Sequence, residues 1–82
     1  MYKVLLTKRS LKDIENLSNE IKSRIYRKLK EYSVNPFEHC TKLIEPKIGT
    51  FRFRIGDYRV IFDVDEDKIV ILRIGHRKEI YK

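Results

Sequence analysis

The most constraining feature of the sequence is a pair of alternating segments joined by Gly56-Asp57. From Phe51 onward, apolar and polar residues alternate with a period of two, which indicates a half-buried strand. A Gly-X pair is typical of a two-residue type II′ hairpin, and Tyr58 to Val64 then reads as the returning strand. The chain is therefore predicted to contain an antiparallel hairpin whose register is set by its turn.

This register divides the hairpin into an apolar surface and a basic surface. The apolar residues predicted to share one surface are Phe51, Phe53, Ile55, Tyr58, Val60 and Phe62. On the other surface, Arg54 is predicted to face Arg59 directly, with Arg52 facing Ile61. Like charges directly opposite in a strand pair are destabilising, by up to about 1 kcal/mol. Because this pair breaks a local rule of sheet stability, we expect it at a functional site.

The N-terminal half has the pattern of one strand followed by two helices. Residues 2–7 form a short, largely apolar segment, which is typical of a strand. Ser10 with Asp13 resembles a capping box for the first helix, and Ser18 is a candidate cap for the second. The second helix is predicted to stop at Asn35-Pro36, because proline disfavours helical geometry in the residue before it.

A connector and a third strand flank the predicted hairpin. The connector runs for about a dozen residues, from Phe37 to Gly49. The third strand, from Ile69 to Ile74, follows an acidic turn. If that turn is a three-residue loop, Arg73 lies beside Arg59 on the basic surface.

Length and charge limit the classes of protein to which the chain can belong. With 82 residues, it has room for one domain with a thin core, predicted to span residues 1–82. Lys and Arg number 19 against 12 Asp and Glu, so the net charge of +7 favours a polyanionic partner. The single cysteine excludes an internal disulfide, and no run approaches the roughly 18 apolar residues of a membrane span. We therefore expect a soluble cytoplasmic protein without a membrane partner.

Arginines that converge on one sheet surface suit a phosphodiester ligand. Each planar guanidinium donates parallel hydrogen bonds to two phosphate oxygens and keeps its charge at all physiological pH values. Arg77 is predicted to extend the row formed by the hairpin arginines. The alternative is a solvated basic face that binds nothing specific.

The C-terminal segment adds two side chains that can move protons, His76 and Tyr81. A histidine titrates near neutrality, whereas a tyrosine needs neighbouring cations to lower its pKa before it acts as a base. The alternatives are an exposed polar residue at 76 and a packing aromatic at 81. The adjacent His39 and Cys40 lack the spacing and further ligands of a zinc site, so no metal ion or cofactor is predicted.

The order Phe51-Arg52-Phe53-Arg54-Ile55-Gly56-Asp57-Tyr58-Arg59-Val60-Ile61-Phe62, followed by Gly75-His76-Arg77 and Tyr81, resembles the RelE/ParE toxin superfamily over the whole chain. The resemblance implies an α+β fold. An N-terminal strand would precede a helical hairpin and an antiparallel three-strand meander, with the helices on one face and the first strand pairing back into the sheet. RelE-like toxins cleave messenger RNA at the ribosomal decoding site.

The resemblance also implies roles for individual residues. The basic residues of the family fall on Arg52, Arg54, Arg59 and Arg77, and the terminal catalytic tyrosine falls on Tyr81. This sequence has arginines at 52 and 54 where the RelE pattern has lysines, and arginine is a poor general base. The implied reaction is attack of an RNA 2′-hydroxyl on its adjacent phosphate, with the arginines as a phosphate clamp and Tyr81 or His76 as the proton acceptor.

The implied partners are an antitoxin protein, the ribosome and messenger RNA. Two other functions remain open from the sequence. A ParE-like inhibitor of DNA gyrase shares the fold, acts by binding a protein and has no need of opposed arginines. A non-catalytic RNA-binding or ribosome-associated module would use the same arginines only for affinity.

Overall fold

The computed structural model describes residues 1–44 and 48–80 of the chain. A mixed five-stranded sheet with strand order β1-β5-β4-β3-β2 carries two helices on one face, which confirms the predicted α+β class. The elements are β1 (Lys3–Leu6), α1 (Lys8–Glu15), α2 (Asn19–Tyr32), a 3₁₀ helix (Pro36–Glu38), β2 (Cys40–Lys42), β3 (Phe51–Ile55), β4 (Tyr58–Asp65) and β5 (Lys68–His76). Within the described ranges, no helix is long and apolar enough to cross a membrane.

The two helices begin at hydroxyl caps, one of them earlier than predicted. The side chain of Thr7 accepts a hydrogen bond from the backbone N–H of Ser10, so α1 starts at Lys8. The prediction of Ser10 as the cap was wrong, because Ser10 is buried and its hydroxyl donates back to the carbonyl of Thr7 at 3.0 Å. Ser18 caps α2 as predicted, accepting from the N–H of Ile21.

The predicted hairpin register is confirmed in full. Arg54 lies opposite Arg59, and Ile55 lies opposite Tyr58. Gly56 has φ of +61°, and Asp57 keeps a negative φ, which is the combination that a type II′ turn requires. The apolar residues of the hairpin pack under the helices. The buried core consists of Ile14, Ile25, Leu29, Phe53, Ile55, Val60, Phe62, Ile69, Ile71 and Ile74.

The predicted register between β4 and β5 was wrong. The turn contains two residues, with Asp65 opposite Lys68, because Glu66 adopts a left-handed conformation with φ of +55°. An irregularity at Ile61 and the following residue then shifts the register again. Arg73 consequently lies opposite Ile61.

The edges of the sheet come from the start of the chain and from the predicted connector. β1 pairs in parallel with β5, with Leu5 opposite Val70, which confirms that the first strand returns to the sheet. β2 pairs antiparallel with β3, with Cys40 opposite Phe53. This strand was missed because it is only three residues long and its last two residues, Thr41 and Lys42, are exposed.

Candidate nucleic-acid interface

We call the sheet face that points away from the helices the arginine surface, after Arg52, Arg54 and Arg59. Neighbouring residues of a strand point to opposite faces, and the neighbours of these arginines belong to the core under the helices. Arg54 is exposed, Arg52 is partly buried and Arg59 is only 6% exposed. The surface therefore has one solvent-facing guanidinium directly opposite a buried one.

The guanidinium of Arg59 is held by the backbone of its own hairpin. Its Nη1 donates to the carbonyl of Gly56 at 2.9 Å and to the carbonyl of Tyr58 at 3.0 Å. These bonds to the end of the hairpin fix the side chain in place before any ligand arrives. A fixed cation needs little reorganisation when negative charge develops beside it.

Two chain segments pack on the arginine surface. Gly49 lies against the side chain of Ile61, which is fully buried although it faces away from the helices. Ile80 packs on Gly75, with its Cδ1 3.1 Å from the position that a Cβ would take there. Gly75 is the cross-strand partner of Arg59. The described C-terminal segment thus ends on the arginine surface, beside Arg59.

Arg77 lies at the turn end of the hairpin. Its Nε is 3.6 Å from a carboxylate oxygen of Asp57, and its backbone N–H donates to the Asp57 carbonyl at 2.8 Å. Both side chains are more than half exposed, so the ion pair is weak and open to exchange. Arg77 is therefore positioned where it can leave the carboxylate for another anion.

His76 lies away from the hairpin arginines, contrary to the expectation from the sequence. It is the cross-strand partner of Tyr58, which packs against the core, and the two rings meet edge to face at 5.5 Å. Its Nδ1 accepts a hydrogen bond from the backbone N–H of Lys78 at 3.1 Å. The imidazole thus lies on the helix side of the sheet. The other predicted proton acceptor, Tyr81, lies outside the described residues.

Arg73 does not join the row of hairpin arginines. Its Nε donates to Asp13 of α1 at 2.8 Å, and the same carboxylate oxygen accepts from the N–H of Ile74 at 3.1 Å. Asp13 is also 3.6 Å from Arg9. This carboxylate, predicted to belong to a helix cap, instead joins α1 to the edge of β5.

The described residues contain no group of three or more His, Cys, Asp or Glu side chains that could hold a metal ion. His39 instead stacks on Tyr32, with ring centroids 4.3 Å apart and planes at 14°. Cys40 is half-buried in β2, and this burial raises the pKa of its thiol.

Comparison with known proteins identifies the family. The profile of the ParE toxins of type II toxin-antitoxin systems matches residues 4–81. Toxin RelE3 from Methanocaldococcus jannaschii is 34% identical over 83 residues, which cover 96% of this chain and 94% of that protein. Toxin RelG from Mycobacterium tuberculosis is 30% identical, covering 99% and 97% respectively.

Solved structures agree with the sequence comparisons. A chain of the toxin-antitoxin complex RelBE2 from Mycobacterium tuberculosis superposes with a TM-score of 0.83 at 29% identity, covering 93% of this chain and 98% of that one. The archaeal RelE-RelB complex from Pyrococcus horikoshii gives 0.75 at 26% identity, covering 95% and 97%. The fold is that of a RelE-like toxin. The chain belongs to the RelE/ParE superfamily of toxins from type II toxin-antitoxin systems.

Proposed function

We propose that this toxin is an endoribonuclease that cuts messenger RNA on the ribosome. The observation that carries the proposal is the direct opposition of Arg54 and Arg59 on a sheet face that the helices leave uncovered. Opposed cations are unfavourable unless an anion lies between them. A phosphodiester is the anion whose oxygens match two guanidinium forks.

In the proposed reaction, the RNA 2′-hydroxyl oxygen forms a bond to the adjacent phosphorus as the bond from phosphorus to the 5′-oxygen breaks. The 2′-hydroxyl proton passes to an acceptor, and the departing 5′-oxygen takes up a proton. The products are a 2′,3′-cyclic phosphate and a 5′-hydroxyl. Arg54 and Arg59 neutralise the charge that develops on the phosphorane oxygens, with Arg52 and Arg77 completing the clamp. The scheme requires no metal ion, because guanidinium groups supply the positive charge.

Tyr81 is the proposed proton acceptor in preference to His76. The imidazole packs with Tyr58 on the helix side of the sheet. Ile80, the last residue that the structure describes, packs on the arginine surface at Gly75. Tyr81 is the next residue in the sequence. Cations favour the anionic form of a phenol, so a larger fraction of it can accept a proton near neutral pH.

We also propose an antitoxin protein as a partner, as in the toxin-antitoxin complexes that this chain resembles. A groove of about 300 Å³ lies between β1 and α2, and Leu5 and Tyr26 are exposed apolar residues on these two elements. β1 is an edge strand, so its outer backbone groups are open to a further strand. Lys3 on β1 and Lys30 in the groove favour an acidic segment with apolar side chains at alternate positions.

A second candidate function is inhibition of DNA gyrase in the manner of ParE toxins. The match to the ParE family profile favours it, since the profile covers residues 4–81. Such an inhibitor acts by binding protein and has no use for a phosphate clamp. The hairpin arginines therefore favour the nuclease.

One experiment separates these functions. Purified toxin is added to a translating extract and, in parallel, to a gyrase supercoiling reaction. The proposal predicts that the message is cut while supercoiling continues. Intact message with blocked supercoiling would establish the ParE-like function instead, and intact message with stalled translation would favour a module that only binds RNA or the ribosome.

A further inference from the structure

Arg24 of α2 lies against the turn of the β3–β4 hairpin. Its Nη2 is 2.6 Å, and its Cζ and Nη1 are each 3.0 Å, from the position that a Cβ would take at residue 56. The guanidinium therefore covers Gly56, and a side chain at this position would displace it. The left-handed φ of +61° is what favours glycine at this turn.

The turn consequently has a guanidinium on each of its two sides. Arg59 donates to the carbonyl of Gly56 from the arginine surface. Arg24 reaches the same residue from α2, whose buried side chains Ile25 and Leu29 pack on the opposite face of the sheet. Cations from the two sides of the sheet thus both contact the hairpin turn.

Arg24 is exposed and has no carboxylate partner within 4 Å among the described residues. The one acidic residue of the turn, Asp57, pairs with Arg77 instead. Ordering a long arginine side chain costs conformational entropy, and placing it near other cations adds repulsion. A ligand with regularly spaced negative charges would offset both costs at once.

We propose that Arg24 binds a second phosphate of the RNA strand, one that flanks the phosphate held on the arginine surface. This inference rests on the proposed function, because it takes the hairpin arginines as the site of the reacting phosphate. An RNA strand that crosses the hairpin turn meets Arg54 and Arg59 on one side and Arg24 on the other. Arg24 then contributes to affinity and to the register of the strand.

The test measures binding separately from cleavage. The probe is a ribosome programmed with a message that carries 2′-deoxyribose at the decoding-site codon, which the proposed reaction cannot cut. Arg24→Gln is expected to weaken binding of the toxin about tenfold at moderate salt, as for the loss of one charge-assisted phosphate contact. Arg27→Gln is the matched control, since Arg27 is an exposed arginine of the same helix.

A second set of messages carries an uncharged methylphosphonate at one phosphate at a time. Neutralising the phosphate that Arg24 contacts is expected to weaken binding of the native toxin about tenfold. Binding of the Arg24→Gln variant should hardly change. Equal losses for both proteins at every phosphate would overturn the inference. So would an equal loss of binding in Arg24→Gln and Arg27→Gln. Arg24→Lys, which restores a point charge without the planar fork, is expected to recover part of the affinity.

Cleavage of an unmodified message by the same proteins keeps the two proposals apart. Suppose that the native toxin cuts no message, but one methylphosphonate weakens its binding and leaves that of Arg24→Gln unchanged. The nuclease proposal then fails and the second phosphate site stands. If the native toxin cuts and Arg24→Gln binds as well as native, only the inference about Arg24 fails. If the native toxin does not bind the programmed ribosome, both fail.

Discussion

Arg54 and Arg59 are direct cross-strand partners, yet Arg54 is exposed and Arg59 is only 6% exposed. The difference follows from the hydrogen bonds of Arg59 to the carbonyls of Gly56 and Tyr58, which hold it against its own hairpin. Arg59 therefore supports the turn as well as the surface charge. Arg54 contributes charge without any described contact of that kind.

The first prediction concerns stability. Arg59→Ala is expected to lower the free energy of unfolding by about 1 to 3 kcal/mol, because two partly buried backbone carbonyls lose a charged donor. Arg54→Ala is expected to leave it unchanged or to raise it by up to about 1 kcal/mol, since a like-charged partner is removed. Urea unfolding of both variants measures the difference. Equal losses would show that Arg59 has no special structural role.

The second prediction concerns proton transfer. His76→Gln is expected to leave the pH profile of cleavage unchanged, because the imidazole packs with Tyr58 on the helix side of the sheet. Tyr81→Phe is expected to be the more damaging change, since it removes the proposed base. Single-turnover rates between pH 6 and about 9 provide the readout, with EDTA added and polyamine present to keep ribosomes intact. A rate limb near neutrality that disappears in His76→Gln would assign the base to His76.

The third prediction concerns the junction between α1 and β5. Asp13 accepts from Arg73 Nε at 2.8 Å and from the N–H of Ile74 at 3.1 Å. Asp13→Asn is expected to lower the free energy of unfolding by about 1 to 2 kcal/mol, because a partly buried acceptor of two hydrogen bonds loses its charge. Glu15→Gln, on an exposed residue of the same helix, is the control and should change it by less than about 0.5 kcal/mol. Identical unfolding curves for both variants would contradict this role of Asp13.

The fourth prediction concerns Cys40, whose pKa is raised by burial. The folded protein holds the thiol proton more tightly than the unfolded chain does. The resulting stability is present below the pKa of the unfolded-state thiol and is lost as the pH rises through the higher folded-state pKa. Native toxin should therefore lose more stability than Cys40→Ala between pH 8 and about 10.5. Equal losses of stability in the two proteins would show that folding does not raise the pKa of the thiol.

The sequence predicted the parts of the fold that depend on local rules. The Gly56-Asp57 turn and the alternation around it determine the hairpin register, so Arg54 opposite Arg59 could be predicted without knowledge of any tertiary contact. Ser18 could be identified as a cap because its hydroxyl acts on the N–H of Ile21, within the same turn.

The sequence could not predict features that depend on distant neighbours. Strand β2 exists because β3 offers it a partner, and its three residues carry no periodic signal. The left-handed Glu66 and the irregularity at Ile61 shift the register of β5, which moves Arg73 away from Arg59. The same register puts Gly75 opposite Arg59 and therefore puts His76 on the other side of the sheet. Beyond the irregularity the alignment is shifted by two residues, so Gly75 takes the position opposite Arg59 that was predicted for Arg73.

In the proposed reaction, opposed arginines drive attack of a 2′-hydroxyl on its own phosphate. The most direct measurement is single-turnover cleavage at saturating programmed ribosome, with native toxin and Arg54→Ala on messages with ribose or 2′-deoxyribose at the decoding-site codon. Native toxin is expected to cut only the ribose message, leaving a cyclic phosphate and a 5′-hydroxyl. Arg54→Ala should cut it about a hundredfold more slowly, with much less effect on ribosome binding. Cleavage of the 2′-deoxy message, or a native cleavage rate in Arg54→Ala, would contradict the account.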